Sequence, residues 1–376
     1  MQDMVQDVVK ARYGAGAQER EDALCCPVDY DPQYLKIIPA EVIERDYGCG
    51  DPSQYVREGE TVLDLGSGTG KICFIASQVV GESGKVIGID MTDEMLDVAR
   101  RNAPIVADKI GYSNVDFRRG HIEDLATDLA EVDRLLEAAP LTSAAALADF
   151  ETARAKQRIE NPLVEDNAVD VIVSNCVLNL VADTDKPALF EEMFRVLKKG
   201  GRIAISDIVS DETSPDHLKK DDDLWSGCIS GALQEHEFVA LLEEVGFYGI
   251  TLDKRDSTPW QVVEGIEYRS VTVLAWKGKE GPCWDKNEAV IYKGPFSSVA
   301  DDDGHTYARG QPMAVCEKTY KILSSEPYAD HFYPVPAQIE VTEQVEFDCS
   351  PDSLRSPQET KAGIAPETRA GDAPCC

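Results

Sequence analysis

Three cysteines stand in settings that suit chemistry. Cys176 closes the apolar run Val-Asp-Val-Ile-Val-Ser-Asn-Cys, Cys49 sits in the tight turn Tyr-Gly-Cys-Gly, and Cys228 lies in Leu-Trp-Ser-Gly-Cys-Ile-Ser-Gly. Thiolate is the soft ligand of the protein repertoire. Three sulfurs from three segments can therefore form a trigonal site for a thiophilic atom. Set against this is the plain alternative of inert core thiols, which are common. A second motif, Asp64-Leu65-Gly66-Ser67-Gly68-Thr69-Gly70, follows an apolar run and opens a helical one. Its glycines let the backbone approach a ligand closely. Asp90 comes about 20 residues further on, where a carboxylate can accept both hydroxyls of a ribose. The spacing is Gly-x-Gly-x-Gly, not the Gly-x-Gly-x-x-Gly of dinucleotide folds. With no pyrophosphate to cradle, the loop suits a nucleoside carrying an amino acid.

These residues need a scaffold, and the hydrophobic pattern supplies one. Short apolar strands are expected at 61–65, 85–89, 115–118, 169–174, 202–206 and 268–275, with helices at 71–80, 93–107, 188–197 and 235–245. Such alternation predicts an α/β fold with a doubly wound, mostly parallel sheet. In an open sheet of this kind ligands bind outside the carboxyl ends of the strands. Cys176 and Cys228 each follow a strand and should face that crevice, and the segment carrying Cys49 can cover it. Residues 1–60 read as helical with turns. An Ala-, Leu- and Glu-rich insertion at 126–160 reads as an external helical hairpin with an N-cap at Ser143. Residues 278–335 form a small β-rich C-terminal domain, and 336–376 a polar acidic tail expected to be disordered.

The chain has 376 residues and a formal net charge of −32. A field of that sign repels nucleic acid and anionic membranes, so neither is expected as a partner. No apolar run is long enough for a membrane span, and the N-terminus lacks the pattern of a signal peptide, so a cytoplasmic protein is expected. Eleven cysteines, an odd number scattered along the chain, argue against a disulfide scaffold. Cys73 reads as core. Cys283 and Cys316 with His305 match no zinc-finger spacing. Cys349, Cys375 and Cys376 fall in the tail.

The glycine loop and Asp90 resemble the donor site of Rossmann-type S-adenosylmethionine-dependent methyltransferases. Taken in order, Tyr47-Gly-Cys-Gly, the 64–70 loop, Gly-Ile-Asp-Met-Thr at 88–92, Val-Ser-Asn-Cys-Val-Leu-Asn-Leu-Val at 173–181, Arg-Val-Leu-Lys-Lys-Gly-Gly at 195–201 and the 225–231 loop resemble the arsenite S-adenosylmethionine methyltransferases. The likeness covers roughly residues 10–335, insertion excepted. It implies a class I methyltransferase fold with a seven-stranded sheet. It implies S-adenosylmethionine held by Tyr47, Asp64, Gly66, Ser67, Gly68, Gly70, Asp90, Met91, Ile122, Glu123 and Asn175. It also implies trivalent arsenic, delivered as a thiol adduct, on Cys176 and Cys228 with Cys49 as a third sulfur. A fourth cysteine of the family falls on Cys25 or Cys26. A disulfide formed in turnover would be restored by a reductant such as glutathione or thioredoxin. Two other readings are a methyltransferase of an organic small molecule and a metalloid-binding protein without turnover.

Overall fold

The structure, a computed structural model, describes residues 2–19, 21, 28–45 and 47–349. The chain divides into two units, Met1–Lys277 and Gly278–Cys376. The first opens with helices α1 (Gln2–Gly16), α2 (Pro32–Leu35) and α3 (Ala40–Glu44). Strands and helices then alternate as β1 (Thr61–Leu65), α4 (Lys71–Val80), β2 (Lys85–Asp90), α5 (Asp93–Ile110) and β3 (Val115–Arg119). A helical pair follows, α6 (Leu129–Ala138) and α7 (Ala144–Glu160), N-capped by the side chains of Asp128 and Ser143. Next come β4 (Val169–Asn175), α8 (Lys186–Val196), β5 (Leu197–Ser210), α9 (Asp222–Ser226) and α10 (Glu235–Val245). The unit closes with β6 (Tyr248–Arg255), β7 (Gln261–Val263) and β8 (Ile266–Trp276).

The strands line up as β3-β2-β1-β4-β5-β8-β6, with β7 paired beside β8. The first five run parallel, while β8 is antiparallel to β5 and β6 to β8. This is the doubly wound, mostly parallel seven-stranded sheet that the sequence leads one to expect, with the short β7 added. Two-residue periodicity splits the strands between two cores. Val62, Val86, Val171 and Val173 face α4 and α5, whereas Leu63, Ile87, Ile172 and Ile203 face α8 and α10. The hydrophobic pattern did not point to β6, because it turns polar and exposed over most of its length. β5 runs well beyond the expected 202–206, since its early residues pair back onto Lys277 through the Gly200 N–H.

Strand order reverses between β1 and β4, which opens the crevice at their carboxyl ends. A third, smaller apolar cluster lies at that end and contains Cys49, Cys176, Ile208, Cys228, Ile229 and Tyr268. The loop that carries Cys228 is anchored by Lys186, which is 1% exposed. Its ammonium donates to Asp183 (2.5 Å) and to the Gly231 carbonyl (2.8 Å), and lies 5.5 Å from the Trp225 ring.

In the second unit β9 (Glu288–Tyr292) is flanked by β12 (Pro312–Val315) and β13 (Phe332–Val335), both antiparallel to it. A hairpin of β10 (Ser298–Ala300) and β11 (Thr306–Ala308) and a helix, α11 (Glu317–Leu323), complete it. The tail expected from residue 336 starts too early. Residues up to 349 return to the unit: the Val341 carbonyl accepts from Lys286 (2.9 Å), and the Phe347 N–H donates to the Cys283 carbonyl (2.8 Å). Residues 350–376 lie outside those described. Among the described residues no helix is long and apolar enough to cross a membrane.

The Lys186 anchor makes a test of this packing. Lys186→Ala removes a buried donor and loosens the 224–231 loop, and is expected to cost about 2–4 kcal/mol. A urea titration that finds the unfolding midpoint unmoved would contradict it.

Candidate active site

β1 delivers the chain into the glycine loop at Gly66, whose φ is 73°. A side chain there would put its Cβ 2.4 Å from Val177, so only glycine fits both the backbone and the neighbour. The Gly66 and Ser67 N–H groups donate to the Ile89 carbonyl (2.8 and 2.9 Å), which locks the loop to the end of β2. Asp90 then accepts from the Gly68 N–H (2.9 Å) and the Thr92 N–H (2.8 Å). Burial pushes the Asp90 carboxyl upward, and these backbone donors oppose the shift. Beside the loop lies a cavity that opens to solvent. Of the residues expected to hold a methyl donor, Tyr47, Gly66, Gly68, Asp90, Met91, Ile122 and Glu123 line it.

The remaining four do not line the cavity, and each has a physical reason. Asp64 points under the loop and accepts from the Cys73 thiol (3.2 Å), which makes Cys73 core as expected. Gly70 is the N-cap of α4. Asn175 turns its carboxamide toward the Cys49 turn. Ser67 is buried, and its Oγ has no hydrogen-bond partner among the described residues. An orphaned hydroxyl beneath a glycine cradle, next to a buried carboxylate, fits a polar nucleoside ligand.

The opposite wall was not read from the sequence. α1 contributes Gln6, Val9 and Tyr13, and the end of the helical N-terminal segment contributes Arg45. Val9 and Tyr13 lie four residues apart on one helical face, which was the available signal. Gln6 donates to Glu123 (2.9 Å) across the cavity, and burial pushes the Glu123 carboxyl up. The Tyr13 and Tyr47 rings meet edge to face with centroids 6.0 Å apart. The Tyr47 hydroxyl is held in place, donating to the Gly16 carbonyl (3.1 Å) and accepting from the Glu21 N–H (2.9 Å).

The three expected sulfurs do converge. Cys49, Cys176 and Cys228 are buried in one apolar cluster, and Cys176 also lines the cavity. The junction is made by Asn175. Its Oδ1 accepts from the Cys49 and Gly50 N–H groups (2.9 and 3.1 Å), and its Nδ2 donates to the Gly50 carbonyl (2.8 Å). Cys49 and Cys176 are joined as a disulfide, with Cα atoms 5.9 Å apart. The pair expected to act together as thiolates, Cys176 and Cys228, is thus present with one member oxidised. The Cys228 thiol donates to the Cys176 carbonyl (3.1 Å), and the Tyr13 hydroxyl lies 3.8 Å from Cys228 Sγ. Both Cys176 and Cys228 adopt left-handed backbone, with φ of 59° and 62°. Such a conformation costs a non-glycine residue of order 1–3 kcal/mol and concentrates at functional sites. Cys25 and Cys26 lie outside the described residues.

Two titratable groups face the sulfurs. Burial, and then the Cys228 sulfur, hold the Tyr13 hydroxyl well above its ordinary range, so it stays a neutral donor. Burial pushes the Asp207 carboxyl up to about 7, even though it accepts from the Ile208 and Leu178 N–H groups. A carboxylate oxygen of Asp207 lies within 4.8 Å of both Cys49 Sγ and Cys176 Sγ.

The sheet order, the glycine cradle and Asp90 define a class I S-adenosylmethionine-dependent methyltransferase. A methyltransferase-domain family model matches residues 57–150 and 142–246, and a model of a domain of unknown function matches residues 279–365. The chain is 34% identical to the arsenite methyltransferase of Aquipseudomonas alcaligenes, over 86% of this chain and 89% of that one. It is 31% identical to the arsenite methyltransferase of Homo sapiens, over 79% and 73% of the two chains. The crystal structure of an arsenic(III) S-adenosylmethionine methyltransferase from Chlamydomonas reinhardtii superposes with a TM-score of 0.54 at 28% identity, covering 86% of this chain and all of that one. The chain belongs to the arsenite methyltransferase family.

Asp207 gives the site a pH signature. Below about pH 4 its carboxyl is protonated in folded and unfolded chains alike. Between there and about 7 the folded chain keeps a proton that the unfolded chain has released, so this group lowers stability as pH rises. Asp207→Asn removes that slope. Melting curves should show the variant gaining on the wild type from pH 4 to 7. Parallel curves would show that Asp207 titrates normally.

Proposed function

We propose that this enzyme transfers a methyl group from S-adenosylmethionine to trivalent arsenic held by Cys176 and Cys228, with Cys49 as the third sulfur. The observation that carries this reading is the double position of Cys176. It lines the cavity shared with Gly66 and Asp90, and it lies in the cluster with Cys49 and Cys228. In this reading Asp90 accepts the ribose hydroxyls, Gly66 and Gly68 face the amino-acid end, Ile122 and Glu123 flank the base, and Tyr47 lies beside the sulfonium. When bound, S-adenosylmethionine supplies an activated methyl cation equivalent.

Trivalent arsenic on thiolates keeps a lone pair, so the attacking atom has no proton to lose and no general base is required. Binding itself drives thiol deprotonation. The protein then contributes alignment, which can be worth several kcal/mol, and the Tyr47 face adds about 1–2 kcal/mol beside a sulfonium. Methylation raises arsenic to the pentavalent state, and its return takes two electrons. As the As–S bonds to Cys49 and Cys176 break, one electron pair stays on arsenic, the other forms the Cys49–Cys176 bond, and a water or small thiol takes the vacated place on arsenic and loses its proton. Asp207 is placed to receive that proton. The Cys49–Cys176 pairing in the structure shows that the two sulfurs can reach each other for such a step. A small thiol such as glutathione, or a thioredoxin, then restores the dithiol. Dependence on that exchange suits a reducing compartment such as the cytoplasm.

The reading is tested by incubating the reduced protein with S-adenosylmethionine, arsenite and thiol. Cys176→Ser and Cys228→Ser should each lower the yield of methylated arsenic by at least roughly 100-fold. Methyl-donor affinity by calorimetry should stay within about 2-fold in both. Full turnover by either variant would contradict the assignment.

A further inference from the structure

The second unit carries a sulfur cluster of its own. Cys283 precedes β9, Cys316 follows β12, and Cys349 arrives on the returning segment that pairs with residues 283–285. The backbone fixes this meeting: the Phe347 N–H donates to the Cys283 carbonyl and the Asp285 N–H to the Val345 carbonyl, each at 2.8 Å. The three sulfurs all lie within 4.8 Å of one another. Cys316 is buried, whereas Cys283 and Cys349 are half-buried and so within reach of a solute. Donors already converge on the sulfurs: the Thr319 N–H donates to Cys316 Sγ (3.4 Å). Burial pushes the Cys283 thiol up, but hydrogen bonds from Cys349 and Cys316 and the Lys318 ammonium outweigh it, and the thiol ends below its usual range.

We infer that Cys283, Cys316 and Cys349 form a second binding site for trivalent arsenic, a holding site separate from the one that methylates. The inference rests on the reading that the enzyme works on trivalent arsenic. Three thiols displace three hydroxyls from arsenous acid: three As–S bonds form, and the hydroxyls leave as water with the thiol protons. Coordination number favours arsenic over zinc. Structural zinc takes four ligands, and among the described residues no fourth cysteine, histidine or carboxylate joins this group. His305 is close, but its Nδ1 is engaged by Asp301 (2.9 Å) and its Nε2 by the Cys349 carbonyl (3.0 Å). Trivalent arsenic is satisfied by three soft sulfurs and a lone pair.

The test uses the full-length chain with both Cys176→Ser and Cys228→Ser, reduced and then dialysed against arsenite. The expected result is one arsenic retained per chain, with three sulfur neighbours by X-ray absorption. Adding Cys283→Ser or Cys349→Ser, both at half-buried positions, should abolish that retention while circular dichroism stays unchanged. The inference is overturned if the double variant retains no arsenic, or if retention survives both added substitutions. One zinc per chain in the purified protein, lost in Cys316→Ser, would also overturn it. Should the wild type make no methylated arsenic while the double variant still binds through three sulfurs, the proposed activity fails and this site stands.

Discussion

The carboxamide of Asn175 is the junction on which the site depends. It reads the Gly48-Cys49-Gly50 turn as a strand would, accepting two N–H groups and returning one donor to a carbonyl. The approach is so close that a Cβ on Gly48 would lie 2.2 Å from Asn175 Nδ2. Two segments 126 residues apart are thereby held in register. Tyr47 is set on the cavity wall on one side of the turn, and Cys49 is set against Cys176 on the other. Each of these buried bonds contributes about 0.5–1.5 kcal/mol, and leaving one unmade costs more.

Around this junction the protein spends conformational strain and withholds charge. Cys176 and Cys228 are both held in left-handed backbone, one by the end of β4 and the other by a loop tied down through Lys186 and by the Asn179 carboxamide, which donates to the Cys228 carbonyl. The groups nearest the sulfurs are neutral or poised to be so: Tyr13 does not ionise, and Asp207 titrates only near neutrality. An apolar pocket of this kind suits a lone-pair nucleophile, which needs alignment and dryness rather than a base. The same burial makes a carboxyl near neutrality a convenient proton acceptor for the proposed redox step.

Much of this was legible in the chain. The glycine loop, Asp90 and the strand endings carry local signals, and all fall at the cavity. What escaped detection depends on contacts between distant residues. Asn175 belongs to the cysteine motif, yet nothing in its neighbourhood says that it faces the Cys49 turn and not the methyl donor. Val9 and Tyr13 have the spacing of one helical face, and only the fold lays that face over the crevice. Cys349 sits in a polar, acidic stretch that reads as solvated. Its place beside Cys283 and Cys316 comes from backbone pairing, which leaves no mark on side-chain pattern. The left-handed conformations of Cys176 and Cys228 are likewise invisible, because neither residue is a glycine.

The central claim is that the sulfurs beside the methyl-donor cavity both hold the arsenic and return its electrons. The most direct measurement is a single turnover of fully reduced enzyme under anaerobic conditions with no external thiol, quenched with an alkylating agent and mapped by mass spectrometry. The account predicts one Cys49–Cys176 linked peptide for each methyl group transferred and reduced back to trivalent product. Methylated trivalent arsenic formed while Cys49 and Cys176 are both recovered as alkylated thiols would contradict it.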